Sequence, residues 1–377
     1  MIFLKSLFTS IIIFLFVIPV GISGCALKNE PARPVSADAP DDVSVLKIAV
    51  LPVVNISGTP APLHTIHQAL LNSLNRKALN LLVPDLVESV IRKHRIRYLG
   101  GINYTTSQVF REEVGAEAVL ITSLELYSEI SPPKIALTSR LVSTAEHMPI
   151  LWMRGIGLAG NDAPGLLDLN LIEDPQKLLD LAVQNLSNLL AHYLSGRSDG
   201  ADFQKIRNTF RPRVSFLAPV LNLDMKKRVA VIPFFNTSER KHAGEIIALQ
   251  FVKALTAFDN FSVIEPGVVR QTLLDMRIIM QDGLSLADAD LIFSRLEADL
   301  VLSGDIMDYQ DYKGLEGQPR VDFSAQIIEK KSREIVWAVK SHNRGDDRVF
   351  FFDWGKIRTA HAMTTQMVQW TVGDLVQ

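Results

Sequence analysis

An eight-residue apolar stretch occurs twice in this chain and constrains its architecture. It reads Ile-Ala-Val-Leu-Pro-Val-Val-Asn at residues 48–55 and Val-Ala-Val-Ile-Pro-Phe-Phe-Asn at residues 229–236, which is 181 residues later (229 − 48). Each position is identical or exchanges one apolar residue for another. A short apolar run that ends in proline and asparagine is typical of a buried strand leading into a turn. Its recurrence predicts two similar tandem units.

The segments after each copy follow the same order. Residues 63–78 and their counterparts 181 residues on carry an apolar stripe at helical spacing, and short strands ending at Pro84 and Pro266 come next. Ser285 and Asp288 form the Ser-x-x-Asp pattern of a helix start. We predict an α/β protein in which each unit is βαβααβββα-like. Because helices separate the first three strands, we expect a mixed, mostly parallel five-stranded sheet with helices on both faces.

The amino terminus has the three zones of a secretory signal. Lys5 is the only charge in residues 1–24, an apolar run follows it, and Ile22-Ser23-Gly24 leads into Cys25, the only cysteine in the chain. This tetrapeptide resembles a bacterial lipobox, which implies that Cys25 is lipidated. The alternative is an uncleaved membrane helix, but the apolar run at residues 7–22 is shorter than the roughly 20 residues that a spanning helix needs.

These features divide the chain into five segments. Residues 1–24 are predicted to be a lipoprotein signal peptide, and residues 25–44, with three prolines and little to bury, a flexible tether. The first domain is expected at 45–196, a linker at 197–226 and the second domain at 227–377. In known lipoproteins an aspartate after the cysteine favours the inner membrane. Since Ala26 stands there, the resemblance implies the outer membrane and its periplasmic face.

Composition excludes several classes of function. A formal net charge of −2 gives no basic surface for nucleic acid or anionic lipid. One cysteine allows neither an intramolecular disulfide nor a cysteine-rich zinc site. We therefore predict membrane attachment through the lipid, no nucleic-acid partner and an unidentified envelope protein as partner.

The second copy carries a pattern of strands and turns that resembles a known superfamily. The pattern consists of residues 231–236, 261–266, 300–306 and 333–337. It is similar to the superfamily that includes the periplasmic domain of the curli-secretion lipoprotein CsgG, the amino-terminal domain of TolB and lipoprotein activators of penicillin-binding proteins. The resemblance covers residues 45–377 in two copies and implies a CsgG/TolB-like fold. These residues are structural, so it transfers no catalytic role.

We predict a binding or scaffold accessory in cell-envelope assembly or export. The alternative is a subunit of an oligomeric outer-membrane secretion channel, because the curli channel builds its pore from two long hairpins in each subunit. The corresponding stretches here, residues 127–133 and 309–319, are short for strands that must each span with about 9–11 residues. A homo-oligomer agrees with either role.

Three residue patterns resemble functional sites. Residues 155–160 match G-x-G-x-x-G, but no helix follows directly as a dinucleotide site requires, so a strand end of small residues is the better account. His64 and His67 have helical spacing for a metal but no evident third ligand. Asp346, Asp347 and Asp353, with Glu112 and Glu113, are acidic clusters typical of solvated surfaces. We predict no enzyme, no catalytic residue, no cofactor and no metal.

A final expectation concerns an apolar loop. Phe350, Phe351, Phe352 and Trp354 precede the last predicted helix, where loops are usually polar. Either they cap the core beneath that helix, or they form a surface for a partner, a second subunit or the membrane.

Overall fold

The computed structural model describes residues 46–162, 171–197, 208–278, 283–314, 317–347, 349 and 355–376. Within these ranges the chain is an α/β protein with two mixed sheets and eight α-helices.

The first sheet contains five strands and is accompanied by four helices. The strands are β1 (Ile48–Val50), β2 (Val54–Asn55), β3 (Ala118–Ser128), β4 (Lys134–Ser143) and β5 (Ile150–Ala159). The helices are α1 (Leu63–Asn75), α2 (Pro84–Lys93), α3 (Tyr104–Val114) and α4 (Pro175–Leu194). The order along the sheet is β1-β3-β4-β5, and β2 lies beside β3. Strands β1 and β2 run parallel to β3, whereas β4 runs antiparallel to both of its neighbours, β3 and β5.

The second sheet contains seven strands. They are β6 (Val214–Leu217), β7 (Lys227–Val231), β8 (Phe235–Asn236), β9 (Phe261–Val263), β10 (Leu300–Gln310), β11 (Arg320–Glu329) and β12 (Ile335–Arg344). The remaining helices are α5 (Ala243–Thr256), α6 (Pro266–Asp275), α7 (Leu286–Leu296) and α8 (Ala360–Val376). The order is β6-β12-β11-β10-β7-β9, with β8 beside β10. Ser285 begins α7 by accepting a hydrogen bond from the backbone N–H of Asp288 at 3.1 Å, as the Ser-x-x-Asp pattern predicted.

The asparagine that ends each repeated stretch closes a turn. The side-chain nitrogen of Asn55 donates to the carbonyl of Thr59 at 2.8 Å, and that of Asn236 donates to the carbonyl of Arg240 at 2.7 Å. The side-chain oxygen of each asparagine accepts from the backbone N–H two residues later. Asparagine suits this position because its short amide can both donate to and accept from nearby backbone.

The sheets differ from the prediction in pairing and in strand number. They are mixed, but the expectation of mostly parallel pairing is wrong, because the parallel strands are short and the long ladders β3-β4-β5 and β10-β11-β12 are antiparallel. The strand expected at residues 79–83 is reduced to one bridge between Ile48 and Leu81. Strand β6 lies inside the stretch expected to be a linker, and its pairing with β12 contributes to a sheet larger than five strands.

Buried apolar side chains form two clusters. One lies between the first sheet and helices α1 and α4, and it includes Leu120, Leu141 and Trp152. The other takes residues from the opposite face of the first sheet, from α2 and α3, and from the second sheet with its helices. Phe251 of α5 lies at its centre, 5.3 Å from the ring of Phe234. Each fully buried Leu, Ile or Phe stabilises the fold by about 1.5–3 kcal/mol.

Helices α5 and α8 link the two sheets. Both helices contact β5 of the first sheet, and both also contact strands of the second. All but two residues of α5 are buried, so this helix has no face left for solvent. The face of the first sheet that α5 and α8 cover is where the polar groups described next are found.

Candidate functional site

A carboxylate and an imidazole meet in the interior between the first sheet and helix α8. Nδ1 of His361 on α8 donates to Oε2 of Glu125 on β3 at 2.5 Å, and the hydroxyl of Thr138 donates to Oε1 of Glu125 at 2.5 Å. The side chains of His361 and Glu125 are 3% and 1% exposed. Burial raises the pKa of Glu125, but the charge and hydrogen bond of His361 outweigh it, so the pKa is lowered overall.

A bulge in β3 brings Glu125 to this position. The pairing of β3 with β4 shifts register between Leu124 and Leu126, which leaves Glu125 without a partner residue on β4. Bulges commonly re-aim a side chain in this way. The carbonyl of Glu125 also accepts from Nη2 of Arg240 at 2.5 Å, and Nη1 of Arg240 reaches the carbonyl of Ser57. Arg240 thus connects the turn after β8 to the turn after β2.

Two glycines on β5 make room for the imidazole of His361. A Cβ on Gly155 would lie 2.8 Å from Cε1 of His361, and a Cβ on Gly157 would lie 2.8 Å from its Cδ2. Carbon atoms do not approach this closely without overlap. The G-x-G-x-x-G match at residues 155–160 is therefore explained by helix packing on a strand.

A chain of hydrogen bonds continues from the carboxylate along α5 and α8. The side-chain nitrogen of Gln250 donates to Glu125 Oε2 at 3.3 Å, the hydroxyl of Thr365 donates to the side-chain oxygen of Gln250 at 2.9 Å, and Nζ of Lys253 donates to Thr365 at 2.9 Å. Burial lowers the pKa of Lys253 to about 8, although the charge of Glu125 opposes the shift.

A second buried ion pair joins the same two parts of the chain. Nε and Nη2 of Arg140 on β4 donate to the two carboxylate oxygens of Glu265 at 2.9 and 2.8 Å, a bidentate geometry. Nη2 of Arg140 also donates to the carbonyl of Gly100 at 2.6 Å. Both side chains are buried, at 1% and 0% exposure. Burial lowers the pKa of Arg140, but the charge and hydrogen bonds of Glu265 more than offset this, so the pKa is raised.

We name these groups the polar junction. Its members are Glu125, Thr138, Arg140, Gln250, Lys253, Glu265, His361 and Thr365. A catalytic acid or base must touch its substrate, and the carboxylate and imidazole here are enclosed by β3, β4, β5, α5 and α8. The arrangement is suited to holding the first sheet against α5 and α8, since separating the partners would leave buried charges uncompensated.

The other sequence patterns lie apart from this junction. His64 is exposed and His67 half-buried on α1, and burial lowers the pKa of His67. Glu113 is paired on the surface with Lys93 and His94. Asp347 accepts hydrogen bonds from the backbone N–H of Arg344 and from the side chain of Asn343.

Several predictions lie outside the described residues: the signal peptide and tether at 1–44, Cys25, Asp353, and the loop residues Phe350, Phe351, Phe352 and Trp354. In the part of the chain that the structure describes, no group of three or more His, Cys, Asp or Glu side chains is arranged for a metal ion. No helix within the described ranges has both the length and the apolar character to cross a membrane.

Sequence reasoning missed the polar junction, although a signal for it exists. Glu125 is the only charged residue in the largely buried strand β3, and Gln250 and Lys253 stand in a helix whose other buried residues are all apolar. A charged residue in a segment of that kind requires a buried partner. Which partner it finds depends on residues more than 100 positions away, such as His361 for Glu125.

Several solved structures are similar to part of this chain. No protein-family model matches it, and no curated protein matches its sequence. The PelC dodecamer from Paraburkholderia phytofirmans is similar over 43% of this chain and 94% of its own, at 18% identity and a TM-score of 0.31. The lipoprotein GNA1162 from Neisseria meningitidis is similar over 38% of this chain and 97% of its own, at 17% identity and a TM-score of 0.25. The LpoB C-terminal domain from Salmonella enterica is similar over 33% of this chain and 87% of its own, at 18% identity and a TM-score of 0.24.

Proposed function

We propose that this chain is a lipid-anchored lipoprotein of the bacterial outer membrane, facing the periplasm, and a binding or scaffold accessory in envelope assembly or export. The observation that carries the proposal is the sequence Ile22-Ser23-Gly24-Cys25 at the end of an apolar amino-terminal run, in a chain with no other cysteine. A thiol preceded by small residues is what lipid transfer and signal cleavage require. Attachment through several acyl chains is stable, whereas one chain gives only marginal binding.

The anchored part consists of two similar tandem units in this proposal. The registers of the two sheets support it: residues 48–50 pair with 118–120, and residues 229–231 pair with 300–302, parallel in both cases. Trp152 pairs with Leu141 and Trp337 with Ile327, in the third long strand of each sheet. The matching turns at Asn55 and Asn236 give further support.

The burial of the two ion pairs of the polar junction favours a scaffold role over an enzymatic one. The ion pairs of the polar junction point into the protein and join its parts, so they stabilise one arrangement of the two sheets. A scaffold that presents a partner at a fixed distance from its own anchor needs that property. The proposal therefore assigns no catalytic residue.

Replacement of Cys25 tests the anchor. Cys25→Ser should accumulate as unprocessed precursor and lose incorporation of labelled fatty acid, because the hydroxyl does not accept the lipid. Ser23→Ala is the matched control, since it keeps a small residue before the cysteine, and it should be processed and labelled like the wild type. Fractionation of cells that express each variant gives the answer. Membrane retention of a fully processed Cys25→Ser form would contradict the proposal.

The partner is sought by crosslinking the anchored protein in cells and identifying what is captured. A specific envelope protein that is lost when Cys25→Ser is expressed supports an accessory role at the membrane. Capture of other copies of this chain alone, in a closed ring, would favour the channel subunit instead.

A further inference from the structure

A concave, cationic pocket lies at the edge of the second sheet, away from the polar junction. It has a volume of about 420 Å³ and is lined by Thr209, Arg211, Pro212, Arg213, His342, Asn343 and Asp347. Ligand sites for small molecules have volumes of roughly 300–1,000 Å³. The space is therefore sufficient for one sugar residue or the end of a peptide.

The charges of the lining favour an anion. Arg211 and Arg213 bring two permanent positive charges to the stretch before β6. Arg211 is held with its guanidinium 5.6 Å from the ring centroid of Trp370 on α8, a cation–π geometry. Among the described lining residues the one carboxylate is that of Asp347, which already accepts from the side chain of Asn343 at 3.0 Å and from the backbone N–H of Arg344 at 2.9 Å. The described lining residues therefore carry a net positive charge.

Asn343 holds two parts of the pocket wall together. Its side-chain nitrogen donates to the carbonyl of Thr209 at 3.0 Å and to Asp347 at 3.0 Å. The residue is only 5% exposed, so this amide lies behind the wall of the pocket. Buried polar groups are normally hydrogen-bonded, and these two bonds fix the positions of Thr209 and Asp347 beside the arginines.

We propose that this pocket binds a small anionic ligand through a carboxylate or phosphate group placed between Arg211 and Arg213. His342 borders the same space, with its ring held by a hydrogen bond from Nδ1 to Asp322 at 3.1 Å. Arginine suits such a site because its planar guanidinium forms paired hydrogen bonds with both anions. This site goes beyond the scaffold role and does not depend on lipidation of Cys25.

Isothermal titration calorimetry on the full chain in detergent tests the site with three probes. D-Glucuronate carries a carboxylate and hydroxyl donors, inorganic phosphate carries the other anion, and D-glucose is the neutral control. We expect binding of glucuronate or phosphate and none of glucose. Glucuronate binding assigns a carboxylated ligand, and phosphate binding a phosphorylated one. Binding of neither anion, or equal binding of glucose, overturns the proposal.

Two arginine variants separate the pocket from general surface charge. Arg213→Gln should weaken anion binding about tenfold, because one charge-assisted contact is lost. Arg344→Gln is the matched control: it removes the same charge one residue from Asn343, outside the pocket lining, and it should bind like the wild type. Equal weakening by both variants, with unchanged melting temperatures, would show a diffuse electrostatic effect and contradict the site.

Discussion

The two sheets have equivalent faces, but helix α8 covers this face of the first sheet whereas the corresponding face of the second sheet lies at the surface. Three and five residues after Trp152, the first sheet has Gly155 and Gly157, and α8 lies directly on them. Three and five residues after Trp337, the second sheet has Lys340 and His342, which are exposed and half-exposed. The strands around these positions pair in the same way. Side-chain size at two positions of one strand therefore separates a face that accepts a helix from one that remains at the surface.

The ion pairs on the two faces differ in exposure in the same way. On the first sheet, Arg140 and Glu265 form a fully buried bidentate pair. On the second, His342 and Asp322 form a pair whose side chains are 29% and 22% exposed. Buried charges depend on their partner, whereas water screens and solvates the exposed ones. Loss of a partner should thus have very different costs on the two sheets.

The largest difference is expected for the ion pairs. Glu265→Ala should lower the free energy of unfolding by about 3–5 kcal/mol, because Arg140 is left as an uncompensated buried charge. Asp322→Ala, the matched change on the second sheet, should cost about 1 kcal/mol or less. Urea denaturation of both variants measures the two values. Similar costs for the two substitutions would break the comparison.

A second difference concerns pH and Lys253. Its pKa is about 8 in the folded protein, below the ordinary value of 10.5, so the unfolded chain binds the proton more tightly. The cost of burying the charged lysine is present in full below pH 8 and is relieved as the pH rises towards 10.5. The free energy of unfolding should therefore increase by about 3 kcal/mol over that interval from this group alone.

Lys253→Met should remove this increase, and Lys340→Met on the exposed face should keep it. The measurement is the unfolding free energy of the three proteins in urea between pH 7 and pH 10. A wild type and a Lys253→Met variant with parallel pH profiles would show that Lys253 is not buried as a charge.

The smallest of these effects is expected at the glycines. Gly155→Ala places a methyl group 2.8 Å from the ring of His361 and 2.9 Å from the hydroxyl of Thr138, so these buried side chains, or the helix that carries His361, must shift. We expect a loss of about 1–3 kcal/mol, the range for overpacked cores. Lys340→Ala at the equivalent position should change stability by less than about 0.5 kcal/mol. Thermal melting of both variants decides, and a neutral Gly155→Ala would mean that α8 does not rest on β5.

The elements could be predicted where the sequence pattern is local. The helix expected at residues 63–78 is present as α1, and it ends at Asn75. The short strand expected before Pro266 is β9, and the helix start expected at Ser285 is that of α7. Strand β6 was not predicted because its four residues are all exposed and so show no alternation of buried and exposed positions. Its pairing partner is β12, more than 100 residues away in the sequence.

The site could be predicted far less well than the elements. Glu125 and Gln250 are visible as polar residues in apolar segments, but the sequence does not specify that one carboxylate meets both an imidazole and an amide. This contact depends on a bulge in β3 and on two glycines in β5. A strand glycine or a polar residue within a strand can have several structural causes, and the sequence alone does not distinguish them. Only the tertiary structure shows which cause applies here.

If the protein is anchored at Cys25, as proposed, the position of β1 has a mechanical consequence. Residues 46 and 47 lead directly into β1, which lies between β3 and the bridge at Leu81. A pull along this strand loads its hydrogen bonds in shear, so they must break together instead of one after another. If the opposing force acts on the second sheet, the Arg140–Glu265 and Glu125–His361 contacts share the tension with the apolar packing around them. Under the proposed anchoring, the polar junction would help to transmit force between the membrane and the second sheet.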